Sequence, residues 1–267
     1  MKKYRVKPDS PIELKNFAPD DKSEFDGDKK DAEAELQELT DELDSLQERL
    51  YAESKRAVLF VIQAMDTGGK DGTIRKVFGN INPQGCRVTS FKAPTSTELA
   101  HDYLWRVHAA LPRRGEIGIF NRSHYEDVLV VRVHNFVPQE VWEKRYDQIN
   151  AFEKMLCEEG TTIVKFFLHI SKDEQKKRLE ERIATPDKRW KFNPADLKER
   201  VLWDEYQNAF QEVLNRTSTE YAPWYVIPAN RKWYRNIMVA RIAHETLKGL
   251  DPKYPEIKED FSKIVIE

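Results

Sequence analysis

The segment Val58-Leu-Phe-Val-Ile-Gln-Ala-Met-Asp66-Thr-Gly-Gly69-Lys70-Asp71-Gly72-Thr73 constrains this chain more than any other: an apolar, β-branched run enters a glycine-rich turn bearing one lysine and continues into a helical pattern. Glycines let successive backbone N–H groups converge on an anion, the helix that follows adds its positive end, and a lysine supplies a mobile point charge. The expectation is a phosphate-binding loop built from Gly68, Gly69, Lys70, Gly72 and Thr73. The strict G-x-x-x-x-G-K-[ST] pattern is not met, because Ala64 stands at the first glycine and Asp71 where Ser or Thr would hold magnesium. A metal at this loop needs another ligand, and Asp66 is the candidate.

The rest of the chain supplies a frame for such a loop. Apolar β-rich runs at 58–65, 87–93, 117–121, 162–170 and 224–228 alternate with helical patterns at 70–78, 96–110, 124–133, 139–159, 172–183, 194–214 and 231–247. Thr95-Ser-Thr-Glu98 and Ser171-Lys-Asp-Glu174 read as capping boxes opening two of these helices. Strands regularly separated by helices predict an α/β fold with a parallel sheet covered on both faces and functional groups at the carboxyl ends of its strands. Ahead of it, residues 1–54 form a separate part: a polar, proline-containing arm, then a helix over 31–53 whose Leu36, Leu39, Leu43, Leu46 and Leu50 make an apolar stripe between acidic faces. Such a stripe packs on the body or on a partner subunit. Residues 55–267 are expected to form the α/β domain that carries the phosphate loop, with a lid at about 172–200.

Charge distribution narrows the ligand. Residues 20–53 hold fourteen Asp or Glu against four Lys or Arg, so a chain of net charge −2 carries about +8 outside that stretch. A cationic body suits a polyanion. The longest apolar run, 57–62, is far too short to cross a bilayer, and the basic N-terminus is not followed by an apolar core, so the expectation is a cytoplasmic protein without membrane association. Two cysteines, Cys86 and Cys157, are too few for a disulfide framework, and the histidines show no metal-binding spacing.

Chemistry collects where strands end. The second strand leads to Lys92, Pro94 and Thr95, beside the predicted loop, and the third to Asn121-Arg-Ser-His-Tyr-Glu-Asp127. There Arg122 can neutralise phosphoryl oxygens, and Glu126 or Asp127 can hold metal or position an acceptor. After the fourth strand, residues 172–200 carry ten Lys or Arg against seven Asp or Glu and are interrupted by Pro186, the pattern of a phosphate-closing lid. Its candidate donors are Arg178, Arg182, Lys188 and Lys191.

Four motifs together, Ala64-Met-Asp-Thr-Gly-Gly-Lys-Asp-Gly72, Asn121 to Asp127 with the preceding Phe120, Thr185-Pro-Asp-Lys-Arg-Trp-Lys191 and Thr217-Ser-Thr-Glu-Tyr-Ala-Pro-Trp224, resemble the second polyphosphate kinase family, in order and over roughly residues 55–250. The resemblance implies a thymidylate-kinase-like P-loop kinase fold, three-layer α/β/α with a five-stranded parallel sheet and a helical lid. It implies phosphoryl transfer between inorganic polyphosphate and AMP, ADP or ATP, with magnesium, or manganese in its place. Asp66, Lys70, Arg122 and Arg182 become the catalytic candidates, Asp66 and Asp127 the metal ligands, and Lys92, Pro94, Thr95, Asn121 and Asp127 the nucleotide side. The family is commonly multimeric, so a homo-oligomer, dimer or tetramer, is expected and nucleic acid is not a partner. Many members have Asp where this chain has Asn121, and the Asn version resembles the branch that accepts both monophosphates and diphosphates. The alternatives are an ATP-dependent nucleoside monophosphate kinase and a non-catalytic polyanion-binding protein.

Overall fold

Five strands make one parallel sheet, in the spatial order 86–90, 117–121, 57–64, 161–169, 224–228, in the computed structural model, which describes residues 2–258 and 266. In chain order the elements are α1 (Lys29–Glu53), β1 (Ala57–Ala64), α2 (Lys70–Val77), β2 (Cys86–Ser90), α3 (Ser96–Leu99), α4 (Trp105–Ala109), β3 (Ile117–Asn121), α5 (Val130–Val133) and α6 (Gln139–Glu158). Then follow β4 (Thr161–His169), α7 (Lys172–Ala184), α8 (Ala195–Val201), α9 (Trp203–Thr217), β5 (Trp224–Pro228) and α10 (Lys232–Leu250). All eight residues of β1 are buried, as a strand flanked on both edges and covered on both faces must be. The connection from β1 to β2 runs one way along the sheet and those from β3 to β4 and β4 to β5 run the other way. Right-handed crossovers therefore put α2 on one face and α6 and α9 on the opposite one. Between these layers the chain has the P-loop kinase fold, and β1 delivers its loop to the centre of the sheet's carboxyl edge.

The leucine helix packs on its own body. Asp28 opens α1 with a full capping box, its side chain accepting from the N–H groups of Lys30 and Asp31. Leu43, Leu46 and Leu50 are buried against the layer that contains α10. The arm before it is not free either. Val6 donates its N–H to the Trp224 carbonyl (2.9 Å), Arg5 bridges Tyr225 in antiparallel fashion, and the hydroxyls of Tyr4 and Tyr234 lie 2.5 Å apart. This pairing covers the open edge of β5, which would otherwise present unpaired backbone groups.

Several helices are shorter than their sequence patterns predict. The stretch 96–110 breaks into α3 and α4 where Asp102 accepts the Leu104 N–H (3.0 Å) and starts a new turn. The region 124–133 opens as a 3₁₀ turn, His124–Val128, before α5, and 194–214 divides at Leu202 into α8 and α9. The Thr95 capping box is complete, whereas at Ser171 only half forms: the serine caps Glu174 N–H, but its own N–H goes to Asn230 Oδ1 while Glu174 turns to Arg178. Cys86 and Cys157 are free thiols. No helix among the described residues is long and apolar enough to cross a membrane.

Candidate active site

A cavity of about 710 Å³ opens at the carboxyl edge of the sheet, between the loop after β1 and the segment from α7 to the 3₁₀ turn Pro186–Lys191. The loop closes tightly. Thr67 and Gly69 both sit in the left-handed region (φ 61° and 102°), and a Cβ on Gly68 would come within 2.4 Å of the Ala64 side chain. Gly68, Gly69, Lys70 and Gly72 line the cavity; Thr73 does not. Its hydroxyl is fully buried and donates to the Gly69 carbonyl (3.1 Å), the usual helical back-bond, so this residue braces the loop instead of facing a ligand.

Lys70 folds over the loop and donates to the Ala64 carbonyl (2.9 Å). Burial and the nearby Arg122 guanidinium push its ammonium down to about 8, against the opposite pull of Asp66, Glu126 and Asp71. A lysine that must be charged to hold phosphate should then give kcat/KM a descending limb near pH 8. Bound phosphate favours the charged form, so the corresponding limb of kcat lies at higher pH. Measuring both between about pH 6.5 and 10 checks this; a kcat/KM that stays flat through pH 9 contradicts a required Lys70 ammonium that titrates near 8 in the free enzyme.

At the end of β3 the backbone turns sharply, with Arg122 at φ 61°. The next residues anchor that turn in the interior. Ser123 Oγ accepts from Gln63 Nε2 and the Tyr125 N–H (both 3.1 Å), and Tyr125 donates its hydroxyl proton to Glu153 Oε1 (2.8 Å). His124 Nε2 lies 3.1 Å from the same carboxylate, which pairs with Lys165 (2.5 Å) on β4. This wholly buried cluster gives Ser123, His124 and Tyr125 of the motif a positioning task. Arg122 is left pointing at the loop, where Nη2 donates to Asp66 Oδ1 (2.7 Å) and Nη1 to Glu126 Oε2 (3.2 Å).

Asp127 lies elsewhere. Arg145 of α6 donates to both its Oδ1 (2.9 Å) and its carbonyl (3.1 Å), and burial raises the Asp127 carboxyl to about 6 despite that partner. The expectation that Asp127 joins Asp66 at a metal is therefore corrected: in a 3₁₀ turn consecutive side chains diverge, and Glu126 is the one that reaches the Asp66–Arg122 pair. Asn121 does face the cavity, donating its amide to Asp71 Oδ1 (2.7 Å). Lys92 also lines it, whereas Pro94 and Thr95 do not, Thr95 being occupied in capping α3.

On the lid side Arg182, Lys188 and Lys191 line the cavity, and Lys191 Nζ sits 5.0 Å from the centre of the exposed Trp190 ring. Arg178 behaves differently from its expected role as a polyphosphate ligand. All five of its N–H groups are used: Nε on Glu174 (2.7 Å), Nη1 on the Thr67 and Gly68 carbonyls (3.0 and 3.2 Å), and Nη2 on the Ala229 and Asn230 carbonyls (2.6 and 3.2 Å). It ties the loop after β1 to the loop after β5. Lys232 and Arg235, at the start of α10, complete the wall. Two arginines, Arg235 and Arg241, interrupt the otherwise largely apolar stretch 234–243, so the sequence alone does not single out the one that reaches the cavity.

The family model for polyphosphate kinase 2 matches residues 26–255, and the chain belongs to that family. An AMP/ADP-polyphosphate phosphotransferase of Meiothermus ruber is 62% identical over 267 residues, covering all of both chains. An ADP-polyphosphate phosphotransferase of Rhodopseudomonas palustris is 49% identical over 233 residues, 83% of this chain and 81% of that one. The crystal structure of a polyphosphate kinase 2 from Arthrobacter aurescens superposes with a TM-score of 0.93 at 44% identity, covering 96% of this chain and 92% of its own.

Proposed function

We propose that this protein transfers phosphoryl groups between inorganic polyphosphate and adenosine nucleotides, converting AMP to ADP and ADP to ATP with magnesium. The observation that carries the reading is the cavity wall, where nine Lys or Arg (Lys70, Lys92, Arg122, Arg178, Arg182, Lys188, Lys191, Lys232 and Arg235) meet three acids, Asp66, Asp71 and Glu181. Such an excess suits a ligand charged at every phosphate, while three acids inside an anion site suit a bridged cation. The names of the relatives agree with these substrates.

In this scheme the donor chain lies along the lid side and the nucleotide beside Ser90, Phe91, Lys92 and Asn121. Lys70 and Arg122 hold the transferring phosphoryl group from two directions, and Arg182 approaches as the lid closes. Fixed cations that match the charge of the transition state need no reorganisation during the reaction, so positioning and charge supply the rate. Bound magnesium supplies charge neutralisation across neighbouring phosphates. No group of three or more candidate metal-binding side chains exists among the described residues. Asp66, with Oδ2 clear of the Arg122 contact, fits a magnesium ion that keeps waters and phosphate oxygens as its remaining ligands. We also place the protein in the cytoplasm as a homo-oligomer, the exposed Leu99, Phe136 and Val141 offering apolar surface for self-association; sedimentation reads the state. The test of function is separation of nucleotide products after incubation with AMP or ADP and either polyphosphate or ATP as donor. Growth of ADP and ATP with polyphosphate supports the reading, and turnover with ATP alone replaces it with a nucleoside monophosphate kinase.

Acceptor choice rests on Asn121. In Asn121→Asp a second carboxylate would stand against Asp71, now 2.7 Å from the amide, and beside the incoming acceptor phosphate. Like charges a few ångströms apart repel by about 1–4 kcal/mol at realistic dielectric. The AMP-to-ADP rate ratio should change by at least about fivefold with catalysis retained. Initial rates at saturating polyphosphate check it; an unchanged ratio assigns acceptor choice to the wall around Lys92.

A further inference from the structure

Beneath Gly69 two guanidinium groups are buried side by side. A Cβ placed on Gly69 would lie 1.9 Å from Arg235 Nη1 and 3.6 Å from Arg178 Nη1, so only glycine lets the loop approach them this closely. The two arginines differ in what they touch. Arg178 has a carboxylate, Glu174, and spends every N–H on the protein. Arg235 is 3% exposed, and its hydrogen bonds go from Nε (3.2 Å) and Nη2 (2.8 Å) to a single neutral acceptor, Asn236 Oδ1. Its Nη1 has no hydrogen-bond partner and no acid pairs with it among the described residues, although it lines the cavity. Burial, with Arg178 adding its repulsion, pushes Arg235 down to about 9. A buried charge is costly unless a counter-charge or a full set of hydrogen bonds compensates it. No acidic side chain among the described residues supplies that counter-charge.

We propose that Arg235 binds, through Nη1, a non-reacting phosphate of the condensed-phosphate donor, on the α10 side of the loop after β1. The proposal rests on the polyphosphate reading above and adds a residue and a direction to it. The cavity that Arg235 lines also holds Arg178, Arg182, Lys188, Lys191 and Lys232, the last paired with Glu181 (3.8 Å), a set of cations suited to a linear polyanion. The apolar and neutral groups that a base and ribose need, Phe91, Ser90 and Asn121, belong to the acceptor wall. Phosphates bound beyond the reacting one anchor the chain, so Arg235 acts on donor affinity more than on the chemical step.

The experiment measures magnesium tripolyphosphate binding by calorimetry, together with polyphosphate and AMP kinetics, for the full chain and for Arg235→Met and Arg235→Lys. Arg235→Met should weaken tripolyphosphate at least about tenfold and raise the donor KM to match, as expected for loss of a charge-assisted phosphate contact, with the AMP KM within about twofold. The melting temperature of the unliganded protein should stay level or rise, because an uncompensated buried charge has been removed. Arg235→Lys, which keeps the charge and loses the planar fork, should lose part of the affinity with kcat retained. A lower melting temperature with unchanged tripolyphosphate affinity in either variant overturns the proposal and makes Arg235 a structural group. If the wild-type protein itself fails to bind tripolyphosphate, the polyphosphate reading falls and this proposal with it.

Discussion

Lys70→Ala is expected to lower kcat/KM by on the order of 100-fold or more while the melting temperature hardly moves. The half-buried side chain lines the cavity and makes a single close hydrogen bond, to the Ala64 carbonyl (2.9 Å), so its removal enlarges the cavity without stranding a carboxylate. What is lost is a cation aimed at the place where negative charge moves. Because water replaces that cation poorly within a half-enclosed site, the effect falls on the transition state and appears in kcat as well as KM. Steady-state kinetics beside a thermal melt separate the two effects. Activity within about threefold of wild type in a folded variant would contradict the assignment of this loop as the phosphate cradle.

Asp66→Asn should cost as much for a different reason. The amide keeps the size of the side chain and can still accept from Arg122 Nη2, now 2.7 Å from Oδ1, but it no longer attracts a divalent cation. A rate loss of about 100-fold or more, restored only in part by high magnesium, is the expected outcome. Arg122 would then lean on Glu126, its second acidic partner at 3.2 Å. Glu126→Gln gives the control: it removes a charge from the same arginine without removing the carboxylate assigned to the metal, so its loss should be distinctly smaller. Magnesium titrations of activity for both variants check the order. If Glu126→Gln proves the more damaging and Asp66→Asn uses magnesium normally, the metal role belongs to Glu126.

Much of this architecture could be read from residue pattern. The apolar run into Gly68 and Gly69 located the loop, since a fully buried central strand ending in glycines leaves few alternatives, and the five strands were found within a few residues of their ends. Side-chain direction was harder. Asp127 and Glu126 are neighbours of the same charge, and only the 3₁₀ turn at His124–Val128 decides which one meets Arg122. Thr73 and Arg178 looked like phosphate ligands because their types suit phosphate, yet their donors are consumed by backbone carbonyls, which no pattern of residue types records. The reverse holds for Arg235: its exposure of 3% and the lack of an acid partner among the described residues emerge only from packing. Lys165 shows the same limit, a charge inside β4 that is tolerable because Glu153, Tyr125 and the Thr217 carbonyl all reach it from distant parts of the chain. Conversely, the leucine stripe of α1 left two destinations open, and the burial of Leu43, Leu46 and Leu50 on the body chooses between them.

A phosphoryl group is expected to pass from polyphosphate to nucleotide in this cavity without release to water. Phosphorus NMR of the protein with polyphosphate, magnesium and AMP follows both sides of that exchange at once. Nucleotide β and then γ phosphorus signals should grow as chain phosphate declines, one for one, with little free orthophosphate, and Lys70→Ala should slow the exchange by on the order of 100-fold. Orthophosphate appearing in place of nucleotide phosphate, or nucleotide phosphorylation that proceeds unchanged in Lys70→Ala, would contradict direct transfer in this cavity.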